Sequence, residues 1–209
     1  MSDKFQVVII GGGSHARSIL ALLRKNKLSK YILGYTDLKR NDLPIKYLGE
    51  DEKIFLLNKK KIKLVLGVGI NLKLRKKILN KFKKYQFLSL IDKNSILLEN
   101  CDVGRGSIIF PNVSIGPDVS IGKFCVIHNS VVIEHDVNIG DNSYIGPGSV
   151  VCGNSRIENN VLLGANSTMI QDTFIKNNCR LGAGSVLIKS FKIQNQTLIG
   201  SPAKIKKKI

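Results

Sequence analysis

The residues best able to do chemistry in this 209-residue chain are three histidines: His15, His128 and His135. Glu134 precedes His135 and Asp136 follows it. A carboxylate on either side can orient an imidazole and raise its basicity, as a general base near neutral pH requires. His128, seven residues earlier, is the rival base and is read as a surface or interface residue. His15 ends the run Gly11-Gly12-Gly13-Ser14-His15, and Ala16 completes a G-x-G-x-x-A pattern. Backbone N–H groups and a helix N-terminus in such a turn can receive a phosphate. Asp37 lies 24 residues after Gly13, near the place of a ribose-binding acid. Cys101, Cys125, Cys152 and Cys179 form no C-x-x-C pair, so they are read as small buried thiols of a cytoplasmic protein, with no metal site.

Two kinds of element must position these residues. In residues 1–90 strands and helices alternate. Residues 5–10 form a continuous β-rich apolar run, as in a strand buried in a parallel sheet. The glycine turn and a helix over Ser14–Lys25 come next, with further strands expected at 31–35 and 63–68. Leu72, Leu74, Ile78, Leu79 and Phe82 make a helical stripe within 71–84, with the lysines facing water. Gly67 and Gly69 close a strand and are expected to border the same pocket as the first glycine turn. The reading is a small α/β unit, Rossmann-like, with a small parallel sheet.

From Ile91 the period changes. An aliphatic residue recurs every six residues through Ile199, filling 19 slots without an insertion. Four residues after each, the slot is small or Val in every repeat but one, where Phe191 stands. Gly often comes directly after the aliphatic residue, as at 104, 116, 122, 140, 146, 164, 182 and 200. An α-helix cannot use a strict six-residue period, whereas a coil of short strands can, each hexad giving one flat side with one large and one small inward side chain. Glycine or Asn relieves the corners.

Net charge is +18, and fifteen of those units fall in residues 1–90. The excess is mostly Lys, with 26 Lys to 7 Arg, and aromatic residues make up only 6%. A nucleic-acid reader would use more Arg and interleaved aromatics, so no nucleic-acid partner is expected. The lysines suit solvated helix faces and the steering of anionic small substrates. Hydrophobic residues reach 43%, which excludes intrinsic disorder. No apolar run approaches 18 residues, so no membrane span is expected, and no secretory signal is read at the start.

The hexads resemble those of left-handed parallel β-helix acyltransferases, in which three hexads, or 18 residues, make one coil. With the α/β unit in front, the chain is similar to the two-domain sugar acetyltransferases. These include the bacillosamine-type UDP-4-amino-sugar N-acetyltransferases and the sialic acid O-acetyltransferases. The resemblance rests on residues 11–15, Asp37, residues 67–75, Ile133-Glu134-His135-Asp136, Gly182-Ala183-Gly184-Ser185 and residues 200–204.

It implies a nucleotide-sugar-binding domain over 1–90 and an acetyl-CoA-binding β-helix over 91–209. It further implies N-acetylation of a UDP-linked 4-amino-4,6-dideoxy sugar in bacterial glycan biosynthesis. His135 is then the base and Asp136 its modulator. Gly153, one coil beyond His135, is the expected oxyanion donor through its N–H. Tyr144, Gly153, Ala165 and Ala183 map onto cofactor contacts. Gly13, Ser14, His15, Asp37 and Gly69 map onto the nucleotide-sugar site. A homotrimer with active sites between chains is expected. Open alternatives are sialic acid O-acetylation, an NAD-dependent oxidoreductase built on the glycine turn, and a non-catalytic scaffold. Against the oxidoreductase, 90 residues hold only half of a doubly wound domain.

Overall fold

The computed structural model describes residues 5–206 and divides into two compact units, Met1–Leu90 and Ile91–Ile209. No helix among the described residues is long and apolar enough to cross a membrane.

In the first unit β1 (Gln6–Ile10), α1 (Ser14–Lys25), β2 (Ile32–Thr36), β3 (Ile62–Leu66) and α2 (Leu72–Lys81) succeed one another in chain order. The three strands are parallel in the order β2-β1-β3. Val7, Val8, Ile9 and Ile10 are buried because β1 is central and covered on both faces, which explains its unbroken apolar run. α1 buries Ala16, Ile19, Leu20, Leu22 and Leu23 at helical spacing. β3 stops at Leu66 rather than running to residue 68. A side chain on Gly67 would lie 2.7 Å from the Gly11 carbonyl oxygen, so the ends of β1 and β3 close up there. The expected stripe of α2 is only partly the buried one: Leu72, Ile78 and Phe82 are inside, but Leu74 is 41% exposed and Arg75 is 1% exposed.

The second unit is a parallel β-helix. Two-residue strands stack into three sheets, each strand pairing with the one 18 residues on, as Val126 does with Tyr144 and Val132 with Val150. The first face holds Val126–Ile127, Tyr144–Ile145 and Leu162–Leu163; the second holds Val132–Ile133, Val150–Val151 and Thr168–Met169. The third holds Asn138–Ile139 and Arg156–Ile157. The aliphatic slots from Ile109 to Leu187 are buried, and so are the small slots from Val113 to Ser185. Polar groups in the small slots are satisfied, since Ser143, Ser149 and Ser155 hydroxyls donate to the Glu158, Gly164 and Ile170 carbonyls of the next coil.

The corners are relieved by Asn and by Gly106, Gly148 and Gly184 as expected, and by Asp as well. Left-handed φ recurs every six residues and falls mostly on Asn and Asp, among them Asn112, Asp118, Asp136, Asn142, Asn154 and Asn160. These side chains tolerate that region best after glycine. The glycines that come after the aliphatic slots serve close approach instead. A side chain on Gly140 or Gly146 would meet the backbone of the neighbouring coil at 2.7 Å.

The six-residue pattern outlasts the geometry. Ile91, Ile193 and Ile199 fill aliphatic slots in the sequence yet are 38%, 54% and 44% exposed. Phe191 bridges to Ile175 and Leu198 pairs with Leu181, offsets of 16 and 17 residues instead of 18. Phe191 is too bulky for a small slot. It packs on the core beside Ile175, the register slips, and Leu198 becomes the buried residue.

Candidate active site

The chain leaves the second face at Ile133 and reaches the third at Asn138 through Glu134, His135 and Asp136. Ile133 and Val137 are each 1% exposed and pin the corner, which turns the three polar side chains outward. Asp136 adopts φ +59°. Its carboxylate Oδ2 lies 2.8 Å from His135 Nδ1. The hydrogen bond that Asp136 accepts raises the imidazole above its ordinary basicity against the pull of desolvation, with smaller electrostatic help from Asp136, Glu134 and Asp172. With Nδ1 bonded to Asp136, Nε2 is the nitrogen left to accept a proton.

Of the two neighbouring carboxylates, Asp136 therefore orients the ring. Glu134 does something else: its Oε2 accepts the Gly153 N–H at 2.9 Å. This corrects the expectation that the Gly153 N–H faces an oxyanion, because a donor held by a carboxylate is already engaged. Gly153 matters through its missing side chain. A Cβ there would stand 2.6 Å from His135 Nε2 and 2.7 Å from Cε1.

The other residues read from the sequence occupy a different edge. His128, Ala165 and Ala183 fall at the corner between the first and second faces, and Tyr144 stands on the first face beside it. The His128 ring stacks on Phe110 at 4.5 Å and tilts against Tyr144 at 5.8 Å. Burial depresses its basicity, partly offset by a hydrogen bond with Asn129. His128 is thus a half-buried member of an aromatic row. Within one chain, the His135 corner and the Ala165–Ala183 corner lie at opposite edges of the second face.

In the first unit Gly13, Ser14, His15, Asp37 and Gly69 line one pocket of about 530 Å³ at the carboxyl ends of the strands. In a sheet of order β2-β1-β3 the crevice above β1 and β3 is where ligands settle. The carboxylate of Asp37 is turned onto the protein: Oδ2 accepts from Gly12 N–H at 2.8 Å and from Asn41 Nδ2 at 2.9 Å, while Oδ1 accepts from Leu38 N–H at 2.7 Å. Asp37 thus holds the glycine turn, unlike the ribose-binding acid expected at its place. Gly69 lets the His15 ring approach, since a Cβ would lie 3.0 Å from its Cγ.

Two residues outside the lining brace the pocket. Arg75 Nη1 donates to the Val68 carbonyl at 2.6 Å and so fixes the loop between Gly67 and Gly69. Its signals in the sequence were its place at the end of the 67–75 landmark and an arginine at a core position of α2, level with Leu72 and Ile78. Asn41 left none, because its contact with Asp37 depends on how the loop after β2 folds.

The PglD N-terminal domain family matches residues 6–82, and the GMPPB C-terminal domain family matches residues 125–209. A comparison with curated proteins gives no match. Among solved structures, PerB from Caulobacter crescentus in complex with CoA and GDP-perosamine is 27% identical, with a TM-score of 0.90 over 97% of each chain. A histidine variant of GDP-perosamine N-acetyltransferase from the same organism, also with CoA and GDP-perosamine, is 26% identical over the same shares at TM-score 0.90. The acetyltransferase domain of PglB from Neisseria gonorrhoeae, in complex with acetyl coenzyme A, shares the fold at 19% identity and TM-score 0.90, covering 96% of this chain and 98% of that one. These likenesses run the length of both units in the same order, and in both the chain is similar to the solved nucleotide-sugar N-acetyltransferases.

Proposed function

We propose that the protein transfers an acetyl group from acetyl-CoA to the amine of a nucleotide-linked amino sugar. The observation that carries this is the 2.8 Å contact between His135 Nδ1 and Asp136, which leaves Nε2 as a base on an exposed corner. The first unit binds the nucleotide sugar through Gly13, Ser14, His15, Asp37 and Gly69, with Asp37 acting by shaping the turn. The β-helix binds the co-substrate along Tyr144, Gly153, Ala165 and Ala183. Bound acetyl-CoA supplies an activated thioester acyl group.

His135 Nε2 takes the proton of the sugar amine as its nitrogen bonds to the thioester carbonyl carbon; the C–S bond breaks, and the proton passes to the departing CoA sulfur, Asp136 stabilising the imidazolium in between. The bare backbone of Gly153 keeps the approach to Nε2 open. Glu134 fixes that strand of the site through the Gly153 N–H. The base and the Ala165–Ala183 corner sit at opposite edges of one face, so a co-substrate touching both is best accommodated between copies. This favours a homotrimer with its active sites between chains. Four cysteines without a disulfide suit a reducing, cytoplasmic setting.

UDP is the nucleotide expected from the resemblance, while the Caulobacter enzyme was solved with a GDP-linked sugar. The test is thiol release from acetyl-CoA with UDP- and GDP-linked 4-amino-4,6-dideoxy sugars, with sialic acid as the hydroxyl acceptor. Turnover is expected with a nucleotide-linked amine and not with sialic acid. Release with sialic acid alone, or with no acceptor in the panel, overturns the proposal.

A further inference from the structure

The pocket of the first unit is lined by more charge than the glycine turn needs. Its carboxylates are Asp37, Glu50, Asp51 and Glu52, and its cations are Lys77 and Lys81 from α2. Most of these are engaged within the protein. Asp37 holds Gly12 and Asn41, and Asp51 accepts the Thr36 hydroxyl at 2.7 Å. Lys81 Nζ meets Glu52 Oε1 at 2.6 Å, a bond that holds the Glu52 carboxyl below its usual range. Lys77 alone among the pocket's cations makes no hydrogen bond or ion pair with any described residue.

Lys77 lies one helical turn before Lys81, so both face the same side of α2 as Leu74 and Ile78, which also line the pocket. Leu74 is the stripe residue left 41% exposed, and it lines this pocket. The α2 face is thus built partly for the cavity and only partly for the core. Gly13 and Ser14 line the same cavity, and no side-chain hydrogen bond caps the start of α1 there.

Resting on the proposed nucleotide-sugar reading of this pocket, we infer that Lys77 is the residue that takes the diphosphate of the substrate. A compact ammonium on a flexible stem suits a point contact with phosphate oxygens. Lys81 is not an equivalent substitute, because it is paired with Glu52. Lys76 on α2, and Lys83 and Lys84 in the turn after it, do not line the cavity and are exposed.

The test is calorimetric binding of UDP and GDP to the full chain, comparing wild type with Lys77→Ala, Lys77→Arg and Lys76→Ala. Lys77→Ala is expected to weaken the better nucleotide at least about tenfold, in line with the loss of a charged hydrogen bond. Lys77→Arg should recover most of that affinity. Lys76→Ala removes the same charge from the same helix and should change affinity less than about twofold, which separates a contact from long-range steering. In turnover, Lys77→Ala should raise KM for the nucleotide sugar and leave KM for acetyl-CoA unchanged. Affinity of Lys77→Ala within twofold of wild type, or an equal loss in Lys76→Ala, overturns the inference while the pocket assignment stands. Failure of the wild-type protein to bind either nucleotide overturns both.

Discussion

His135 lies over Gly153, one coil on, so closely that a methyl group on that glycine would come within 2.6 Å of the imidazole Nε2. The same ring is held from its other nitrogen by Asp136 at 2.8 Å. Position and protonation of one imidazole are therefore set by two residues with different roles, a spacer without a side chain and a carboxylate partner.

Replacing Gly153 by Ala should displace the ring without unfolding the coil. Gly153 does not have left-handed φ, and the group it would strike is an exposed side chain, held on the protein through Asp136, with room to move into solvent. The expected result is a loss of kcat of about tenfold or more, because an off-position base loses its catalytic contribution. The melting temperature should move by only a few degrees. Unchanged turnover would show that the ring does not act from its observed place.

Loss of the base itself is a stronger change. His135→Ala is expected to lower kcat by roughly 10²–10⁴, the usual contribution of a positioned general base. Affinity for CoA, measured by calorimetry, should stay nearly constant because the imidazole acts on the acceptor amine. Full activity in this variant rules out the mechanism.

The pH profile reports the Asp136 contact directly. A base must be neutral to accept a proton, and the Asp136 hydrogen bond raises the imidazole above its ordinary value near 6.5. Activity should therefore climb with pH along a limb centred above that of an ordinary histidine. Asp136→Asn should move the limb to lower pH and also lower the plateau, since the imidazolium loses its stabilising charge. A limb that does not move assigns it to another group.

In the α/β unit, Asp37→Ala should raise KM for the nucleotide sugar roughly tenfold and leave KM for acetyl-CoA alone. Removing the carboxylate frees Gly12 N–H and Asn41 and loosens the turn that shapes the pocket. Steady-state kinetics with each substrate varied in turn makes the distinction.

The register slip at the end of the β-helix can be checked by stability alone. Leu198 is fully buried, whereas Ile193 is 54% exposed. Leu198→Ala should cost about 2–5 kcal/mol in denaturant unfolding, and Ile193→Ala within about 0.5 kcal/mol. The six-residue pattern alone makes the opposite assignment, with Ile193 inside and residue 198 outside.

The sequence by itself was enough for the architecture. A strict hexad from residue 109 to 187 admits only a coil of short strands, because buried side chains must recur at the period of the backbone that carries them. The glycine turn after an apolar strand likewise falls at the carboxyl end of the sheet, where Gly13, Ser14, His15, Asp37 and Gly69 line one pocket.

Two other matters depended on packing across coils and were decided only in three dimensions. The pattern continues through Ile193 and Ile199, but a single bulky residue, Phe191, takes an inward place and shifts the register of the residues after it. Whether Glu134 or Asp136 served the imidazole was open in the sequence, since both are its immediate neighbours. The left-handed corner at Asp136 turns its carboxylate onto Nδ1, and the 18-residue stacking brings Gly153 within reach of Glu134. The engagement of Lys81 by Glu52, 29 residues away, leaves Lys77 as the pocket's available cation, a distinction between two lysines that no local spacing carries. Side-chain type and period are local properties of a sequence, while hydrogen-bond partnership is settled by which coils and loops the fold sets side by side.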